Sequence, residues 1–314
     1  MNGRQKGTAA ALGSAFFLGM TPIFGKQAMI LGFTPLAVVA VRSGLAVALL
    51  FVFLLIFKRS YFYIYPLGLI GCALAGIING LGSILYYSAL SRIDAGVGQL
   101  LYSFYPLFVA LWLFLDRQSL SRITLIRLIV SLPAIYLLIS ASHDKVDLAG
   151  TLMMIGAAAM YALHLLINQR VLYEVPPPTV TFYTLLAMAF TVAIAFASFK
   201  PQLPPVTDIW WPLIALGIIT FISRLTLFMG VKHLGGIQTA LLGLGELLVT
   251  VILAITWLGE QLTLLQWLGA LLLSANLLLA AYDRVNPTKR KGRGFLGWLN
   301  PPSIHMTDIP LQDQ

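Results

Sequence analysis

Apolar residues fill this chain in long blocks separated by short polar joints. A helix needs about 20 mostly apolar residues to cross the hydrocarbon core of a bilayer. Ten blocks meet that requirement, over 7–29, 35–57, 66–90, 94–115, 119–141, 147–169, 177–199, 210–232, 236–258 and 264–282. The joints have a readable chemistry. Lys58-Arg59 ends the second block, and His143-Asp144-Lys145 divides the fifth from the sixth. Pro176, Pro177 and Pro178 break the sixth from the seventh, since the residue before a proline is driven out of helical geometry. Residues 200–208, KPQLPPVTD, form the longest internal loop, and a polar tail follows from Asp283. The pattern predicts an all-α integral membrane protein with ten transmembrane helices.

The chain repeats itself. GTAAALGSA at Gly7–Ala15 returns as GTLMMIGAA at Gly150–Ala158, and Pro35 returns as Pro178 at the same offset. Each copy holds five predicted crossings, an odd number, so the second must start on the opposite side of the membrane from the first. Charge agrees with an inversion. With a cytoplasmic N-terminus, thirteen basic residues fall inside, five of them in the tail, and four fall outside (Lys26, Arg92, Lys145 and Lys200). That bias follows the positive-inside rule. Lys58-Arg59 lies inside, while its counterpart loop holds only Lys200. The expected architecture is two inverted five-helix repeats, 1–141 and 147–282, followed by a basic cytoplasmic tail over 283–314. Inverted repeats of this kind place a substrate site near the midplane, between the halves.

Composition narrows the class further. Apolar residues make up 59% of the chain and charged residues 10%, with a mean hydropathy of +0.89, too few charges for a water-facing surface of this size. The net charge of +9 does not point to nucleic acid, because Lys289, Arg290, Lys291 and Arg293 cluster in the tail and most other basic residues flank apolar blocks. Such placement suits topology and contact with anionic lipid. Cys72 is the single cysteine, which excludes an intrachain disulfide and a cysteine-based metal site. The start, two basic residues before an apolar stretch, could be a signal peptide, but its second copy at residue 150 argues for a retained helix. No phosphate-binding G-x-x-x-x-G-K-[ST] sequence occurs, and no metal-spaced or Ser/His/Asp set stands out. No cofactor and no enzymatic activity are expected.

A few polar residues lie deep in the apolar blocks, where an ionisable group is costly and marks a functional site by default. Glu246 sits midway along the ninth block, in GLGELL. Arg224 lies as far before the turn near Gly235 as Glu246 lies after it, so the two share a depth if the eighth and ninth helices pack as a hairpin. The pair reads either as a proton- or substrate-sensitive site or as a structural ion pair. Arg42, in the second block, either grips a substrate carboxylate in two-pronged fashion, reaches for the outer interface, or forms a structural pair with Glu246. His164 in the sixth block has an ordinary pKa suited to a proton relay, though a lone helical histidine also serves packing. Asn79, Gln99, Gln238 and Asn276 lie at helix depth, with Tyr86, Tyr102 and Tyr161 as tyrosines able to line a wet cavity. The candidate substrate-binding set is therefore Arg42, Asn79, Tyr86, Tyr102, Tyr161, Arg224 and Glu246, with Glu246 and His164 as candidate proton-coupling groups. Lys26, closing the first helix, reads as a side chain that snorkels outward.

The chain resembles the EamA family of the drug/metabolite transporter superfamily over residues 7–282. FFLGMTPIFGKQA with Lys26, FTPLAVVAVRSGLAVALL with Arg42, and SRIDAGVGQLLYSFYPLFVALWLFLD with Pro106 carry the likeness in the first half. HLGGIQTALLGLGELLVTVILAITWLGEQLTLLQWLGALLLSANLLL, with Gly259-Glu260 and Gly269, carries it in the second. Gly19-Met20 stands where the family usually has Trp-Gly, Glu246-Leu247 where Glu-Pro is common, and Asp116 where the first repeat usually has Glu. The resemblance implies that helices three, four, eight and nine form hairpins that open and close the ends, and that small metabolites, amino acids or drugs are exported. The expected function is a secondary transporter of the inner or plasma membrane with both termini cytoplasmic. It would work by alternating access, as a uniporter or proton exchanger. The alternatives are a membrane-embedded enzyme, a lipid-handling protein or a channel. The expected partners are a small-molecule solute and the lipid bilayer, with no nucleic acid.

Overall fold

Proline fixes where several helices begin. Pro35, Pro66 and Pro177 each open a helix at its first turn, where a missing N–H costs nothing and the ring pre-sets φ. Thr34 caps the first of these, its hydroxyl accepting from the Ala37 amide at 3.3 Å. Asp147 caps another in the same way, its carboxylate accepting from the Gly150 amide at 2.9 Å. Gly32 and Gly259 turn the chain after helices at φ +96° and +70°.

The computed structural model describes residues 3–115, 147–201, 203–204, 210–234, 239, 242–243 and 245–282, with positions 126, 129–130, 133 and 136–137 between them. The helices are α1 (Gly3–Ile30), α2 (Pro35–Phe57), α3 (Pro66–Leu90), α4 (Ala95–Tyr102), α5 (Tyr105–Leu115), α6 (Leu148–Val171), α7 (Pro177–Phe199), α8 (Trp211–Leu234), α9 (Gly245–Trp257) and α10 (Leu264–Tyr282). A short 3₁₀ turn, Arg59–Phe62, follows α2. Most of the predicted fifth helix, Gln238, the side chain of Asn276 and the basic tail lie outside the described residues. The fourth apolar block, predicted as one helix, is broken at Ser103 and Phe104 into α4 and α5. Pro106 is the physical cause, because it cannot donate to the carbonyl one turn back.

Among the described residues no strand forms, and seven helical segments are long and apolar enough to cross a membrane. Large apolar side chains such as Phe51, Ile70, Phe190, Leu248 and Ile252 face outward, as a protein solvated by lipid requires. The chain is a multi-pass membrane protein.

Helix packing here depends on small residues, as it does wherever lipid removes the hydrophobic drive between helices. α1 lies against α8 and α9. A Cβ added at Gly19 would come 2.6 Å from the Glu246 carbonyl oxygen and 2.7 Å from Val249 Cβ, so only glycine allows that approach. Ser14 donates to the Ser223 carbonyl at 3.1 Å, and Thr250 donates to the Gly19 carbonyl at 2.7 Å. α6 makes the matching contacts in the other half, packing on α3, α4 and α5. α2 and α7 pack on each other. The first helix of each half thus lies against the third and fourth segments of the other. Among the described residues α8 and α9 pack little on each other, and both lie against α1; the turn of the expected hairpin lies outside the described residues. α3 and α4 likewise touch little, since α6 takes the packing faces of both.

Candidate functional site

Seven helices bring polar side chains to one interior space. Asn79, Ser83, Tyr86 and Tyr87 recur along α3 at helical spacing and line it, as do Arg42 from α2, Tyr161 from α6 and Arg224 from α8. Tyr102 at the end of α4, Glu246 at the start of α9, and Leu18 and Thr21 from α1 complete the wall. The free space is small, about 40 Å³ for water-sized molecules, room for a few waters as the side chains stand. All seven candidate substrate-binding residues line this cavity.

The two arginines are buried, at 4% and 6% exposure, yet both keep neutral partners. Arg42 donates to the Ser83 hydroxyl at 3.1 Å and to the Thr220 hydroxyl at 3.4 Å, and its guanidinium lies 4.9 Å from the centre of the Tyr87 ring. Arg224 donates to the Asn79 side-chain oxygen at 3.4 Å and lies 5.5 Å from the centre of the Tyr161 ring. Neither arginine forms a salt bridge among the described residues, and the Nε of each has no hydrogen-bond partner there. The expected Arg224–Glu246 ion pair is therefore absent, although both side chains reach the same cavity. Glu246 instead accepts from Gln99 Nε2 at 2.9 Å, and Gln99 in turn accepts from the Tyr86 hydroxyl at 3.2 Å. Tyr86 meets Tyr102 edge to face with ring centres 4.9 Å apart, and Tyr102 lies tilted against Tyr161 at 5.3 Å.

His164 is not in the cavity wall. It is fully buried behind Arg224, with Nδ1 3.0 Å from the Ala75 carbonyl and Nε2 3.5 Å from an Arg224 nitrogen. A carbonyl only accepts, so Nδ1 carries the proton and Nε2 accepts from Arg224. A second proton on Nε2 would face a cation, so the ring is suited to orienting Arg224. Ser83, Thr220 and Tyr87 were not singled out from the sequence as site residues, although the stripe Asn79, Ser83, Tyr86 and Tyr87 was there to read.

A second cavity adjoins the first and shares Leu18, Tyr161 and Glu246 with it. Its remaining wall includes Ala11, Ser14, Val231 and Gly243, leading toward the end of the bundle where α1 begins. At the opposite end, backbone groups hold two charged side chains. Glu260, just beyond α9, accepts from the Ala95 and Gly96 amides at 2.7 and 2.8 Å, at the N-terminus of α4. Burial holds its carboxyl above the usual value, against the pull of those two amides. Lys26, expected to snorkel outward, instead donates to the Leu90 and Ile93 carbonyls at 2.9 and 2.7 Å.

The sequence matches the description of the EamA-like transporter family twice, over residues 5–140 and 148–282. The chain belongs to the EamA-like transporter family. An uncharacterized transporter of Synechocystis sp. is 27% identical over 237 residues, covering 70% of this chain and 68% of that protein. The uncharacterized transporter YwfM of Bacillus subtilis is 29% identical over 174 residues, covering 52% of this chain and 55% of its own. A solved crystal structure superposes with a TM-score of 0.63 at 18% identity, over 88% of this chain and 97% of that one, which speaks for the fold alone. As an EamA-family member with transporter-named relatives, the protein is a membrane transporter.

Proposed function

We propose that this protein is a secondary transporter that exports small metabolites, amino acids and their relatives first, by alternating access. The observation that carries the reading is the convergence of Arg42, Arg224 and Glu246 on one interior cavity, walled by tyrosines. Charged groups held in the membrane interior and left without salt-bridge partners suit a solute that brings its own charges. Two family matches in one chain, together with the exchange of packing partners between halves, support two inverted repeats around that cavity. The small second cavity toward the start of α1, with the far end held by Lys26 and Glu260, suits opening at that side. With the N-terminus in the cytoplasm, as the basic residues favour, that side is the cell interior.

Glu246 is the proposed proton site. It is the one carboxylate in the cavity wall, and its protonation removes a negative charge from a space it shares with two arginines. A ligand or proton shifts an alternating equilibrium only by its differential affinity for the two states, and a few kcal/mol suffices. The test is counterflow of radiolabelled amino acids in liposomes, for wild type and Glu246→Gln, with and without a pH gradient. Exchange by wild type, with the gradient response lost in the mutant beyond any loss of exchange itself, supports proton coupling through Glu246. Folded protein that moves none of the panel removes the amino-acid reading.

A further inference from the structure

We infer that the cavity is built for an amino-dicarboxylate, a small solute with one ammonium and two carboxylate groups; the inference rests on the transporter reading above. The argument is a charge count. Two guanidinium groups face the cavity, and each is held only by neutral side chains among the described residues. A guanidinium has five N–H donors, and both Nε groups are unpartnered and buried. Removing such a cation from water is costly unless a counter-charge meets it. Among the described residues Glu246 is the one carboxylate of the wall, so the fixed charges there are two positive and one negative.

A neutral zwitterion leaves one arginine unmatched. A solute with a net charge of −1 balances the wall, and the two arginines offer two sites for planar, two-pronged carboxylate binding. Glu246 decides for an ammonium on the same solute. Its carboxylate accepts one hydrogen bond, from Gln99, and a simple dicarboxylate would bring a further negative charge beside it. Tyr86, Tyr102 and Tyr161 line the same wall, with Leu18 and Ala157 as its aliphatic members.

The test is equilibrium binding of radiolabelled L-aspartate to the purified protein, with competition by unlabelled glutamate, alanine, phenylalanine, succinate and inorganic phosphate. Glutamate should compete at least tenfold better than alanine, phenylalanine, succinate or phosphate. Arg42→Gln and Arg224→Gln should each weaken aspartate roughly 30-fold, the scale for losing one partner of a buried charge pair. Arg42→Lys, which keeps the charge and loses the fork, should fall between. Glu246→Gln should narrow the gap between aspartate and succinate. Competition by alanine or succinate equal to that by glutamate overturns the inference, as does the absence of aspartate binding by folded protein. The same preparations in liposomes separate the two readings. Aspartate binding without counterflow keeps the ligand class and removes transport. Counterflow of neutral amino acids without aspartate binding does the reverse.

Discussion

Lys26 and Glu260 at one end of the bundle, and Arg42 and Arg224 at its centre, are charged groups withdrawn from water, and their partners differ in kind. The end pair is engaged by the backbone. Glu260 places both oxygens on amides at the N-terminus of α4, where the helix dipole favours a negative charge, and Lys26 places its ammonium on carbonyls that end α3. The central pair rests on hydroxyls, an amide oxygen, an imidazole and ring faces, with donors left over. A charge answered by backbone is complete without a ligand and holds elements together. A charge answered in part is available to one.

The comparison breaks if the two pairs respond alike to neutralisation. The largest effect is expected at the centre. Arg224→Gln should reduce saturable transport at least tenfold while the melting temperature in detergent stays level or rises, since removing an unpaired buried charge relieves desolvation. A large fall in melting temperature with binding intact would contradict this assignment. Glu260→Ala should do the opposite in kind. It orphans two amides and should lower stability by about 2 kcal/mol, the range for charge-assisted hydrogen bonds, and denaturation by chemical denaturant in detergent reads the change. Lys26→Met should cost somewhat less, about 1 kcal/mol, because carbonyls at a helix end are easily rehydrated. The smallest effect belongs to Asp147. The Gly150 amide, and then Arg92 at 3.1 Å, hold its carboxyl below the ordinary value of 3.8. Its contribution is therefore present above pH 3.8 and is lost as the pH falls through the lowered value. A melting-temperature series from pH 6 down to pH 2, for wild type and Asp147→Asn, should converge at the acid end.

Much of the fold was legible because its boundaries are chemical. The predicted spans 35–57, 66–90, 177–199 and 264–282 coincide with α2, α3, α7 and α10, three of them opened by proline. The break between α4 and α5 was also signalled, by Pro106, but apolar length alone outweighed it. The membership of the site was legible from depth, since polar residues inside apolar blocks are few. What spacing could not give was which helix lies against which. The family resemblance implied that α8 and α9 pair, whereas contacts such as Ser14 on Ser223 and Gly19 against Val249 join surfaces more than two hundred residues apart. For the same reason the partner of Glu246 was misjudged. Arg224 has the right depth, but Gln99 has the right position.

On the proposed reading, the cavity opens at the end where α1 begins and is closed at the end held by Lys26 and Glu260. Thiol accessibility tests this. With the buried Cys72 replaced by alanine, Ser14→Cys and Thr21→Cys place a thiol on the path and in the cavity wall. A membrane-impermeant thiol reagent should label both from the side bearing the N-terminus and from that side alone, and adding Glu260→Ala should admit labelling from the other side. Equal labelling from both sides in the protein with Glu260 intact, or labelling only from the side of the Glu260 end, would contradict the claim.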